Sequence, residues 1–272
     1  MKLYDNPFSP FARKVRLVLD WKGLAYDAID GLDKANAEAL EAVNGRVEVP
    51  ALVDGDITIV NSSDIDAYLE RTHPQPPVYP ADPAAQVRAR AWERCADTVI
   101  DPILADISYW SWAERPDQMP AGMQEAAQSD LDRIYDALER DLEGQAFVCG
   151  DLSIADLALF PHLAAVRALG VPFSPERRPR LGAWLKRMCA MEPCGADLER
   201  TRAYLADIRA RNIERTRIFW RGDRIEWVLA RGYHDWFVRE IREGRVVWPG
   251  LGVPGPRAGS RQGRTGARSG NI

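Results

Sequence analysis

Asn6-Pro7-Phe8-Ser9-Pro10-Phe11-Ala12-Arg13-Lys14-Val15-Arg16 decides how this chain is read. Two prolines bracket Ser9 in the turn Asn6 to Phe11. From Phe11 to Lys22 the apolar residues Val15, Val18 and Leu19 fall on one face, and Gly23 ends the run. Ahead of the turn, Lys2 to Tyr4 has the pattern of a strand. The turn therefore delivers Ser9 to a helix start. Orphan N–H groups and the positive end of the helix dipole stabilise negative charge there, and a hydroxyl adds one donor. A plain helix cap accounts for Ser9 as well.

Outward from this stretch lie a strand near Ala25 to Ile29, a short helix around Ala37 to Val43, and the strands Ala51 to Val53 and Ile57 to Val60. Asp54-Gly55 joins the last two as a hairpin. A further helix runs from Ser63 to Arg71, with Ser62 as its cap and Ile65, Tyr68 and Leu69 on its buried stripe. In Arg46-Val47-Glu48-Val49-Pro50-Ala51-Leu52 the proline holds Val49 extended. A cis Pro50 would free the backbone of Val49 to pair with an extended peptide; a trans Pro50 would merely start the strand. Val60-Asn61-Ser62-Ser63-Asp64-Ile65 puts donors at a second strand-to-helix junction, as ligand groups or only as a cap.

His73 to Pro83 holds five prolines, supports neither helix interior nor central strand, and reads as an interdomain linker over 73–84. Beyond it, in 85–215, the period is helical. Val87, Ala91, Cys95, Val99, Ile103 and Ile107 recur every four residues with a bend at Pro102. Leu131, Ile134, Tyr135, Leu138 and Leu142 mark a second helix, and Ile154 to Leu169 is apolar all round. Two more span about Pro179 to Met191 and Asp197 to Arg215. Residues 216–254 form a Trp-rich helical extension, with Ile225, Val228, Leu229, Trp236 and Ile241 on one face and a break at Gly232. Residues 255–272, rich in Gly, Ser and Arg without an acid, read as a disordered basic tail.

Of the 272 residues 36 are Lys or Arg and 40 are Asp or Glu, interleaved to a net charge of -4, so no broad basic face marks a nucleic-acid partner. No apolar run reaches the ~20 residues of a spanning helix, and the opening Met-Lys-Leu-Tyr-Asp is unlike a signal peptide, so the expectation is a cytoplasmic protein without a membrane partner. Cys95, Cys149, Cys189 and Cys194 stand singly, and His73, His162 and His234 share no ligand spacing, so no metal is expected.

Four blocks together resemble the glutathione transferase superfamily over about the first 200 residues. Ser9-Pro10-Phe11-Ala12-Arg13-Lys14-Val15-Arg16 resembles its serine-type active-site segment, and Val49-Pro50 its cis-proline segment. Asn61-Ser62-Ser63-Asp64-Ile65 is similar to its Glu/Gln-Ser-x-Ala-Ile motif, and Gly150-Asp151-Leu152-Ser153-Ile154-Ala155-Asp156 to its Gly-x-x-x-Ser-x-Ala-Asp capping box. The resemblance implies an α/β plus all-α chain: a thioredoxin-like domain over 1–72 followed by a helical-bundle domain, usually a homodimer, with glutathione as co-substrate. It assigns Ser9 to the glutathione sulfur, Val49 beside Pro50 to the cysteinyl backbone, and Asn61 and Ser62 to the γ-glutamyl end. Arg13, one turn into the helix, either adds positive charge beside the thiol or is a solvated helix-face residue. Phe11, Tyr109, Trp110 and Trp112 either wall a small hydrophobic electrophile or belong to core or dimer contacts.

Asn61 stands where the family has an acid or Gln, and Gly45-Arg46-Val47 where it has a Pro-x-Gly turn, which weakens the expected grip on glutathione. The implied activity is conjugation of glutathione thiolate. Isomerisation or dehalogenation on the same scaffold, or a non-catalytic dimerisation or ligand-binding module, are the alternatives. Added helices after residue 200 lie over the substrate cleft in some serine-type members; here the segment Asp223 to Glu243 has that role or widens a dimer interface.

Overall fold

The computed structural model describes residues 1–112, 119–211 and 222–244. Its first part comprises β1 (Lys2–Asp5), α1 (Pro10–Trp21), β2 (Asp27–Asp30), a 3-10 turn (Lys34–Asn36), α2 (Ala37–Asn44), β3 (Ala51–Asp54), β4 (Ile57–Val60) and α3 (Ser62–Thr72). The sheet has the order β2-β1-β3-β4; β1 and β2 are parallel across the α1 crossover, and the β1–β3 and β3–β4 pairs are antiparallel. Period-two alternation sorts the strands between two cores. Leu3 and Leu52, opposite each other on β1 and β3, enter the large core; the next pair, Tyr4 and Ala51, enters a smaller one with Ala12, Leu40 and Val49.

Helix α1 is buried continuously from Phe11 to Leu19, wedged between α3 and two helices of the following part. The proline-rich stretch after α3 is coil, pinned by Lys22, whose Nζ donates to Glu70 (2.6 Å) and to the carbonyls of His73 (2.8 Å) and Pro76 (2.9 Å).

Then come α4 (Pro83–Cys95), a π-turn (Ala96–Ile100), α5 (Asp101–Trp112), α6 (Met123–Asp141), α7 (Ile154–Leu163), α8 (Pro179–Ala190), α9 (Glu192–Arg211), α10 (Gly222–Ala230) and α11 (His234–Arg242). The expected bend at Pro102 is this π-turn, in which the Asp101 N–H reaches the Ala96 carbonyl. The expected stripe is corrected. A strict i+4 row winds around a helix of 3.6 residues per turn, so Val87 and Val99 are 71% and 44% exposed, and the buried row is Ala89, Glu93, Ala96, Ile100, Ile103 and Ile107. Helix α7 stops at Leu163, short of Leu169. Pro161 lacks the N–H that would bond to Leu157, and the chain continues in tightened turns such as the Ala165 N–H to the His162 carbonyl.

The extension breaks at Gly232 (φ 82°) as expected, and its α10 packs on α5 and the π-turn. Arg224 forks onto Asp101 (2.9 and 3.1 Å), Trp227 Nε1 donates to Asp130 (3.1 Å), and Val228, Trp236 and Phe237 join the large core. Leu229 and Ile241, expected on the buried face, are exposed. Trp220, Trp248 and residues 255–272 lie outside the described residues. Among the described residues no helix is long and apolar enough to cross a membrane, and no His, Cys, Asp and Glu group is arranged to hold a metal.

Candidate functional site

Strand register gathers the predicted binding segments at one end of the sheet. Tyr4 faces Ala51, Ala51 faces Val60, and Asp5 faces Asp30. The segments Asn6–Ser9, Val49–Pro50 and Asn61–Ser62 therefore all leave the sheet at that end, and the N-termini of α1 and α3 open there. Two helix N-termini over one edge gather unpaired backbone N–H donors there.

Ser9 is the N-cap of α1: its Oγ accepts from the Ala12 N–H at 3.3 Å, and its own N–H donates to the Asn6 carbonyl at 3.0 Å. Among the described residues nothing accepts the Ser9 hydroxyl proton, so the two readings of Ser9 coexist: the oxygen caps while the proton is available to an anion. The Val49–Pro50 bond is cis. Neither the N–H nor the C=O of Val49 has a partner among the described residues, and both are available to an extended peptide. Gly31 makes room beside it, since a Cβ there would lie 2.6 Å from Val49 Cγ1.

At the second junction the cap assignment is corrected. Helix α3 starts at Ser62, and Asn61 is its cap, with Oδ1 accepting from the Ser63 N–H at 3.1 Å. Asn61 is also the one non-glycine residue with positive φ (72°) among the described residues, a conformation that concentrates at functional sites. One lone pair of its oxygen is committed to the helix, and its NH2 can donate to a carboxylate. Ser62 is buried beside it.

Arg13 is also corrected. It is 5% exposed; its Nε and Nη2 donate to Asp197 of α9 (2.9 and 2.6 Å), and its Nη1 to the Pro161 carbonyl (3.1 Å). Asp197 also receives Arg16 (2.7 Å), which pairs with Asp5 in turn. Arg13 thus joins the two parts of the fold and is not a solvated helix-face residue. Phe11 lies in the interior, edge-on to His162, and Trp110 is 4% exposed, edge-on to Trp236 of the extension. The side chains of Tyr109 and Trp112 lie outside the described residues.

Sequence reading missed Lys14. Its Nζ donates to Asp97 (2.8 Å), Glu93 (3.0 Å) and Ser63 (3.3 Å), so a fully buried ammonium braces the start of α3 from below. Burial alone would pull its pKa down, but Asp97, Glu93 and Asp66 outweigh that and raise it, so the group stays charged. Asp66 lies 3.8 Å from Lys14, and burial among these acids raises its carboxyl well above the usual range. The available signal was Leu17, an apolar residue that α1 places among Arg13, Lys14 and Arg16 and away from the face of Val15, Val18 and Leu19. The partners of those charged residues are remote in sequence.

Residues 3–77 match the family described as Glutathione S-transferase, N-terminal domain, and residues 86–187 its C-terminal domain. Maleylacetoacetate isomerase of Mus musculus is 31% identical over 199 residues, 70% of this chain and 88% of that protein. A stringent starvation protein A homolog of Pasteurella multocida is 27% identical over 188 residues, 69% of this chain and 85% of that one. Among solved structures, maleylacetoacetate isomerase from Methylobacterium extorquens AM1 with bound malonate and GSH superposes with a TM-score of 0.59. It is 26% identical, and the match covers 72% of this chain and 95% of that one.

Proposed function

The chain belongs to the glutathione transferase superfamily, and from that premise we propose that the corner around Ser9 binds glutathione and ionises its thiol for attack on an electrophilic carbon of a small hydrophobic molecule. One observation carries the reading: the Ser9 hydroxyl proton, the free backbone of Val49 and the N-termini of α1 and α3 meet at a single end of the sheet. The Val49 backbone suits the cysteinyl unit of the tripeptide. The α3 terminus, with the Ser62 hydroxyl and the Asn61 NH2, suits the γ-glutamyl carboxylate. A free thiol near pKa 8.5 is mostly protonated at neutral pH, and a helix N-terminus lowers that value. Ser9 adds a hydrogen bond that only the thiolate accepts strongly.

Thiolate addition is the first step of two outcomes. If the adduct leaves, the reaction is a conjugation. If addition to a cis-alkene is followed by rotation and expulsion of the thiolate, it is an isomerisation in which glutathione is regenerated. The mouse relative named maleylacetoacetate isomerase favours this second outcome. Family membership also supports a homodimer.

Ultraviolet difference titration of the glutathione complex tests the reading. The parent should show thiolate absorbance at neutral pH. Ser9→Ala should raise the bound thiol's pKa and lower turnover about 100- to 1,000-fold, the range for removing one donor from a stabilised anion. A variant with the parent's titration would remove Ser9 from the chemistry. Loss of the cap bond to Ala12 costs roughly 1 kcal/mol of stability, so melting is followed in parallel.

A further inference from the structure

Helix α9 lies wholly beyond residue 187 and yet reaches back to the segment that presents Ser9. Asn6, 1% exposed, directs that segment. Its Oδ1 accepts from the Phe8 N–H (2.9 Å), its carbonyl accepts from the Ser9 N–H (3.0 Å), and its Nδ2 donates to Asp30 Oδ1 (2.9 Å) and to Tyr204 Oη (2.7 Å). Tyr204 donates in turn to Asp30 Oδ2 (3.0 Å), closing a ring of three side chains. Two of the three come from the sheet domain; Tyr204 alone comes from α9. Its ring also receives Phe8 edge-on at 5.1 Å.

We propose that Tyr204 is a positioning residue: through Asn6 its hydroxyl fixes the loop that holds Ser9 at the start of α1. Its consequence for the thiol rests on the reading of Ser9 given above. Without the Tyr204 hydroxyl, Asn6 keeps one of its two amide acceptors and Asp30 loses a donor, so the Asn6 side chain can rotate and release the Phe8 N–H. Burial, with Asp30 beside it, pushes the Tyr204 phenol up to about 12, so the hydroxyl remains a donor through the neutral range. Tyr204→Phe deletes only that oxygen. It keeps the Phe8 contact, and α9 stays anchored by Asp197 to Arg13 and Arg16 and by Arg200 to Asp20 (2.8 Å).

The experiment compares full-length parent and Tyr204→Phe by amide hydrogen exchange without ligand, then by thiol titration of the glutathione complex. Exchange over Asn6 to Ala12 should quicken about 5-fold, as for loss of one hydrogen bond, with α7 unchanged. The bound thiol's pKa should rise, lowering kcat/KM about 3- to 10-fold at pH 6.5 and converging with the parent at alkaline pH. A loop exchanging as in the parent, or one that quickens no more than α7 does, overturns the proposal. A quickened loop in a protein whose parent form shows no thiolate upholds Tyr204 as the loop's anchor and overturns the glutathione reading instead.

Discussion

Gly31 follows β2 and faces Val49 so closely that even a methyl group collides with it: 2.6 Å to Val49 Cγ1 and 3.1 Å to Leu40 Cδ2. Valine is stiff about χ1, so the strain passes to the Val49 backbone. Gly31→Ala should cost about 1–3 kcal/mol, as overpacking does. In urea unfolding the midpoint should fall, and glutathione affinity should fall with it; an unaltered midpoint would show that Val49 yields freely. Nothing in the sequence marks Gly31, because the contact depends on how β2 and the Val49–Pro50 segment meet in space. Ser9, by contrast, was legible, since the turn Asn6 to Phe11 and the periodicity after it mark a helix start without reference to the rest of the chain. At Asn61 legibility stopped halfway. The junction was evident, but which of Asn61 and Ser62 caps α3 depends on a positive φ that no local pattern announces.

Among the elements, α7 was legible at its start and not at its end. Its opening depends on residues three apart: the Asp156 carboxylate accepts from the Ser153 N–H (3.0 Å) and the Ser153 hydroxyl (3.1 Å). What the sequence could not reveal is that the same carboxylate also takes the Val148 N–H (3.0 Å) and Trp184 Nε1 (2.8 Å), which ties α7 to α8 and to the preceding turn. Four donors on a fully buried group make Asp156→Ala severe, about 3–5 kcal/mol, because each donor is left without a partner in the core. Thermal melting of the variant checks this, and a loss below 1 kcal/mol would mean that water enters the site. The α4 row failed for the opposite reason. Apolar residues at strict four-residue spacing suggested one face, but the helix buried Glu93 for Lys14 and left Val87 and Val99 outside. Lys14 of α1 gives the one acid in that buried row its partner.

Over the whole molecule, buried charge joins the two parts alongside apolar contact and shapes the response to acid. His162 sits at the junction: its Nε2 lies 3.1 Å from the Ala96 carbonyl of the π-turn, and its ring meets Phe11 of α1. Burial lowers its pKa from 6.5 to about 4; Asp101 opposes this, while Arg13, Lys14 and Arg224 push the same way. Between those two values the unfolded chain binds a proton that the folded chain refuses, so His162 contributes stability that is present above pH 6.5 and is lost as pH falls toward 4. From pH 7 to 4.5 the loss is about 2 kcal/mol at about 1.4 kcal/mol per pKa unit. Asp66 acts with the opposite sign: its raised pKa keeps a proton on the folded state, and that contribution fades as pH rises through the folded value. The native slope mixes both, so the His162 part is isolated by difference. In His162→Gln the amide can still donate to the Ala96 carbonyl but does not titrate. The stability gap between parent and variant, read from urea midpoints at pH 4.5, 5.5 and 7, should therefore shift by about 2 kcal/mol in the parent's favour as pH rises. A gap that stays constant across those three pH values would mean that His162 takes up its proton over the same pH range in the folded and unfolded chain, with Asp101 offsetting burial.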